Sequence, residues 1–158
     1  MKIREGFVSN SSSCSFILKV RKKDSPYSLQ DIKEYFGVDT GDVNEDNAII
    51  TSLFLLMNCK DEPPIPDMWE SLDKEKILDT LDWASYWSEN CNRGEEYKEE
   101  AKLISESAKD IKNSLEDPEY EIIGAEFRDC EPPFILTNSM GYNRQSNFKK
   151  NILVENNH

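Results

Sequence analysis

Histidine is nearly absent from this 158-residue chain: the only one, His158, stands at the last position, where fraying is the rule. That excludes a His-based triad, and neither a metalloprotease motif, a nucleophile elbow nor a dinucleotide fingerprint can be found. Cysteine is sparse as well. Cys14, Cys59, Cys91 and Cys130 lie far apart, without the paired spacing that zinc and redox motifs use. They read as reduced, buried or idle thiols of a cytosolic protein, all four titratable once the chain is denatured. Long apolar runs are missing too. The longest is Leu53-Phe54-Leu55-Leu56-Met57, so neither a membrane span nor an export signal is expected.

Basic residues are in short supply: 19 Lys and Arg face 31 Asp and Glu, for a formal net charge of −12. The imbalance is uneven. Residues 1–23 carry six bases and one acid (+5) and residues 142–158 three bases and one acid (+2), which leaves −19 on residues 24–141. A nucleic-acid binder needs clustered Lys and Arg to displace counterions from phosphates, so direct nucleic-acid binding is not expected. A basic protein partner suits the acidic middle better, as does a role in solubility alone. With 37% apolar residues, 7 Phe, 6 Tyr and 3 Trp, the chain can fill one core but is too short for two comfortable domains. The expected layout is a single domain over 1–158: a Ser-rich leader at 1–15, an α+β core at 16–141 and a polar C-terminal tail at 142–158.

The opening is the most unusual stretch. Ser9-Asn10-Ser11-Ser12-Ser13-Cys14-Ser15 runs directly into Phe16-Ile17-Leu18. Ser and Asn side chains compete for nearby backbone groups and favour turns; from Phe16 onward, Phe16, Leu18 and Val20 fall on one face at the period of a strand. Three readings of the Ser run stand: an anion-binding nest of backbone N–H groups, which lacks the glycine–lysine pattern of a phosphate loop, a modification or processing signal, and an exposed turn feeding the first strand. The last needs the least. The stretch Met1-Lys2-Ile3-Arg4-Glu5-Gly6-Phe7-Val8-Ser9-Asn10-Ser11-Ser12-Ser13-Cys14-Ser15-Phe16 resembles an N-terminal leader shared by otherwise dissimilar small proteins of large tailed bacteriophages and some bacteria. Cys14 departs from the usual form, which has serine throughout. The resemblance implies a phage origin and carries no assigned activity.

Further along, Ser28 caps a short helix with Leu29, Ile32, Tyr35 and Phe36 on its buried side, ended by Gly37. Asp39, Asp42, Glu45 and Asp46 lack the register, glycine and final Glu of a calcium loop and read as a solvated connection. Asp46 then caps a core helix over Asn47 to Cys59, with a buried strand over Ala48 to Leu56 as the rival. Prolines at 63, 64 and 66 make a rigid loop.

Two regular repeats follow. Ile77, Leu81, Ala84, Ser88 and Cys91 recur at helical intervals between Asp73 and Asn92, and Tyr97, Ala101, Ile104, Ala108, Ile111 and Leu115 do so between Gly94 and Leu115. The two are out of phase, so Asn92-Arg93-Gly94 is a turn and the pair forms an antiparallel αα-hairpin. Trp69, Trp83, Tyr86 and Trp87 read as core aromatics. Tyr120 to Asp129 reads as a strand with Ile123, Ala125 and Phe127 on one face and Gly124 at a bulge or close backbone approach. Phe134 to Thr137 and Ile152-Leu153-Val154 are further strand candidates. The fold class is α+β: a small antiparallel sheet of N-terminal and C-terminal strands, packed on a helical layer that contains the hairpin.

Three functions are compatible with this pattern. One is a non-enzymatic phage-encoded accessory protein that binds a basic host or defence protein through the acidic surface between Asp61 and Asp129, with Glu95, Glu96, Glu99 and Glu100 presenting carboxylates in rows like phosphate charges. The second is a virion-associated structural protein. The third is a small carboxylate-based enzyme, for which Glu126 and Asp129 are the least arbitrary pair. No cofactor or metal is implied, and the expected location is the cytoplasm of the host bacterium.

Overall fold

The computed structural model describes residues 13–22, 27–59, 69–90, 94–128 and 144–157. The strand candidate Phe134 to Thr137, the proline-rich stretch at 61–66, and Asn92 and Arg93 of the expected turn lie outside them. Strand β1 (Ser13–Arg21) pairs antiparallel with β3 (Tyr120–Arg128) on one edge and with β4 (Ile152–Asn157) on the other, and a two-residue strand β2 (Glu70–Ser71) extends the sheet beyond β3. The register places Phe16 between Ala125 and Val154, Ile17 between Gly124 and Leu153, and Leu18 between Ile123 and Ile152.

Strand alternation sends these rows to opposite faces, and both faces are covered. On one, Cys14, Phe16, Leu18, Val20, Ile123, Phe127, Ile152 and Val154 pack against helices α1 (Leu29–Phe36) and α2 (Val43–Asn58) through Ile32, Phe36, Ile49, Leu53 and Leu56. On the other, Ile17 and Leu153 meet helices α3 (Lys74–Asn90) and α4 (Glu95–Asn113) through Ile77, Leu81, Ala84, Ile104, Ala108 and Ile111. The expected α+β class with a small antiparallel sheet is what the chain adopts, and its helices divide into a layer on each side. Asp82–Lys112 and Glu89–Lys109 ion pairs, at 2.7 and 2.6 Å, show that α3 and α4 run antiparallel.

Local chemistry explains the ends. Ser28 and Asp31 form a reciprocal capping box on α1, and Gly37 closes it at φ 67°, a conformation that disfavours any side chain. Helix α2 starts earlier than expected, at Val43. Its cap is Asp42, whose carboxylate accepts from the Asn44 and Glu45 N–H groups, whereas Asp46 is buried and accepts from the Thr40 N–H and hydroxyl. The expected cap Asp46 is thus corrected to Asp42: the Asp46 carboxylate is taken up by Thr40 inside the fold, which leaves the cap to the Asp42 carboxylate. Gly124 marks a close approach: a Cβ there would lie 2.8 Å from Ile77 Cγ1, so the bare backbone is what lets α3 settle on the sheet.

Several expected positions are corrected. Leu29, on α1, is exposed, as are Trp83 and Tyr86 on α3 and Tyr97 on α4, because each lies off the stripe that meets the sheet. Only Trp69 of the four grouped aromatics is buried, against Phe127. The expected polar tail at 142–158 is corrected over its described residues, 144–157: β4 belongs to the core, and the segment before it is bound to the rest. Lys149 N–H, Lys149 Nζ and Asn151 Nδ2 donate to the carbonyls of Phe36, Glu34 and Tyr35, supplying the partners that the last turn of α1 lacks. Between α4 and β4 a short 3-10 helix (Gln145–Asn147) buries the Gln145 side chain. Its Nε2 donates to Ser107 Oγ (2.9 Å) and to the Ile152 carbonyl (2.6 Å), and its Oε1 accepts from Val154 N–H (2.8 Å). The Gln145 amide thus takes the place of a further strand on the free edge of β4.

Two outcomes test this packing. Ile104→Asp places an unpaired charge in the hairpin seam and is expected to lower unfolding free energy by about 3 kcal/mol or more, with Glu99→Gln near wild type, as read by denaturant unfolding. Gln145→Leu keeps the bulk but strands the Ile152 carbonyl and Val154 N–H, and is expected to cost about 2 kcal/mol in the same assay.

Candidate functional site

Ser9, Asn10, Ser11 and Ser12 of the leader lie outside the described residues. Ser13 opens β1, and Cys14 and Ser15 are buried within it, at 5% and 4% exposure. An exposed leader running through residue 15 is therefore corrected: the strand begins at Ser13, because Ser13, Cys14 and Ser15 are paired on both edges, with residues 126–128 and 155–157.

The four glutamates of α4 separate into different roles. Glu95 and Glu96 stand in its first turn, where the helix dipole favours anions. Glu95 pairs with Lys98 at 2.7 Å. Glu96 and Glu99 are exposed and form no ion pair or hydrogen bond among the described residues. Glu100 turns inward, its Oε2 accepting from Ser146 N–H at 3.1 Å, and so braces the segment that carries Gln145. It is a structural contact, not part of a free acidic row.

Lysines temper the rest of the hairpin. Besides the pairs already described, Lys150 reaches Glu106 and Lys19 reaches Asp110, while the Lys109 ammonium, bonded to Glu89, holds that carboxyl below its usual range. Residues 74–113 hold ten acids and seven bases, a net −3, against −10 on residues 24–73 and −6 on residues 114–141. Most of the negative excess thus lies away from the hairpin. Part of it surrounds the start of α2, where Asp39, Asp42 and Glu45 are exposed without an ion pair among the described residues.

A second acidic feature crosses the sheet. Glu70 is opposite Glu126, Glu126 opposite Ser15 and Ser15 opposite Glu155, which puts three carboxylates and a hydroxyl in one row on the hairpin side. Glu126 was one of two candidate acids in the sequence; its companion Asp129 is outside the described residues. Glu155 was not foreseen. It is 5% exposed, and burial pushes its carboxyl up to about 7. Ser15 separates Glu126 from Glu155 by two strand spacings, about 10 Å at Cα. The sequence signal for Glu155 is its place two residues after Leu153, on a face that becomes buried only once the hairpin covers it. No group of three His, Cys, Asp or Glu among the described residues is placed to hold a metal, and no described helix is long and apolar enough to cross a membrane.

The chain matches no protein-family model, no curated protein and no solved structure. Its own architecture defines its class: an α+β protein whose described residues form a four-stranded antiparallel sheet between two helical layers.

The raised carboxyl of Glu155 makes stability depend on pH. The folded state binds this proton more tightly than the unfolded chain, whose carboxyl titrates near 4.5, so the stabilisation is complete below 4.5 and is lost as pH rises through about 7. Glu155→Gln is expected to unfold at higher denaturant than wild type at pH 8, by up to about 3 kcal/mol, and to match it near pH 4.

Proposed function

We propose that this chain is a non-enzymatic accessory protein of a bacteriophage that binds a basic protein of the host or of its defences, in the cytoplasm of the infected bacterium. The observation that carries the reading is the set of exposed carboxylates that no cation neutralises among the described residues, Glu96 and Glu99 on α4 and Asp39, Asp42 and Glu45 around α2, on a chain of net charge −12. A surface of Lys and Arg meets these groups without first breaking an internal ion pair. The likeness of residues 1–16 to phage leaders supports the origin, and Cys59, a thiol in no disulfide among the described residues, suits a reducing compartment.

Affinity purification from expressing bacteria tests it. The recovered partner is expected to be a nucleic-acid-binding protein, released steeply as salt rises and displaced by DNA or RNA. Reversal of Glu95, Glu96 and Glu99 to Lys, leaving Glu100 to brace Ser146, is expected to weaken capture at least tenfold with an unchanged melting temperature. Co-purification with virus particles and no basic partner would favour a structural role.

A further inference from the structure

Trp83 and Tyr86 are the large aromatics that α3 turns to solvent, at 53% and 62% exposure. At about 100° per residue they lie across the helix from the Ile77, Leu81, Ala84 and Ser88 seam. Their ring centroids are 6.2 Å apart with planes 31° from one another, so they form a tilted pair outside the core. Two large rings left in water on a helix with an adequate apolar stripe of its own stabilise neither the hairpin nor the sheet.

Lys74 and Lys76 in the first turn of α3 are paired with Glu116 and Glu70, and beyond them the charges on this helix have one sign. From Ile77 to Asn90, α3 carries Asp79, Asp82 and Glu89 and no Lys or Arg. Asp79 lies one turn before Trp83 and Asp82 one turn before Tyr86, so each ring has a carboxylate beside it along the helix. Asp82 and Glu89 are engaged by Lys112 and Lys109 from α4, whereas Asp79 is exposed and has no ion pair among the described residues. Aromatic faces with an adjoining free carboxylate are what a guanidinium recognises: its plane stacks on the ring and its N–H fork reaches the carboxylate. A compact ammonium gains less from the same surface. Stacked nucleic-acid bases also use exposed aromatics, but their phosphates require a basic surround, which this helix does not have.

We propose that the outer face of α3, with Trp83, Tyr86 and Asp79 at its centre, is a docking surface for an arginine-bearing segment of a basic protein. It rests on the reading that the partner is basic, and it places the specificity on α3 while the glutamates of α4 contribute general attraction.

The test is binding of the intact protein to fluorescent peptides of eight arginines or eight lysines, followed by anisotropy at moderate salt. The arginine peptide is expected to bind more tightly than the lysine peptide. Trp83→Ala with Tyr86→Ala is expected to remove that preference and weaken arginine binding roughly tenfold, with an unchanged melting temperature because both side chains are exposed. Trp83→Phe with Tyr86→Phe, which keeps the rings, is expected to retain it, and Asp79→Asn to reduce it. Equal binding of the two peptides, insensitive to the double alanine variant but lost on reversal of Glu95, Glu96 and Glu99, would overturn this site and leave the basic-partner reading standing. Binding of neither peptide would overturn both. Wild-type self-association abolished by the double alanine variant would identify the occupant as a second copy of the chain and overturn the proposal.

Discussion

Strand β1 is enclosed on every side that a strand has. Ile17 is fully buried against the hairpin, Phe16 and Leu18 are buried against α1 and α2, and the backbone is paired with β3 on one edge and β4 on the other. Fully burying each such side chain is worth about 1.5–3 kcal/mol relative to leaving it exposed, and β1 contributes to both cores at once. Every other element is placed by what it must cover: α2 and α3 belong to the cores on opposite faces of the sheet, and each is fixed by a different face of the same nine residues. The close approach of Ile77 to Gly124 belongs to this arrangement, because a side chain on that row would lift α3 away from Ile17.

A short sheet with a buried central strand still has edges, and exposed edges invite pairing with other chains. At β4 the answer is a side chain. Gln145 presents an amide donor and an amide acceptor to the outward backbone groups of Ile152 and Val154, while Ser107 and Glu100 anchor its segment to α4. The same stretch, through Lys149 and Asn151, completes the end of α1. Residues 145–157 therefore tie one helix from each layer to the sheet, which is why a segment of polar composition is part of the core structure.

The surface divides differently from the fold. Lysines of β1, α4 and the C-terminal segment meet half of the ten hairpin acids, while exposed carboxylates without an ion pair among the described residues stand on α3 at Asp79, at the start of α4 and around α2. Exposed ion pairs of this kind add little stability, so their main effect is to set the local sign of the field a partner meets. Against that mixed ground, an aromatic pair on the solvent side of α3 stands out in chemical character, since Trp and Tyr supply much of the binding energy at interfaces.

Periodicity and caps were enough to reveal α1, the two hairpin helices and the strand at Tyr120–Arg128, because those features are local: Ser28 with Asp31, Gly37, and the repeats through Ile77–Ser88 and Ala101–Ile111 each lie within a few residues. The α+β class and the antiparallel sheet followed from their order. Other matters depended on partners distant in sequence. Asp46 reads as a helix cap until Thr40 takes up its carboxylate and Asp42 is left to cap α2; Trp83 and Trp87 are equivalent as core aromatics until the sheet decides which side of α3 is inside. Glu155 reads as an ordinary acid until α4 covers its face, and Glu100 as a surface charge until Ser146 comes within reach. The amino-acid sequence by itself determined which segments could be helix or strand, since that is set by side chains a turn or a residue apart. Only the tertiary structure decided which faces are buried and which carboxylates remain free, since burial and pairing are properties of surfaces that meet across the chain.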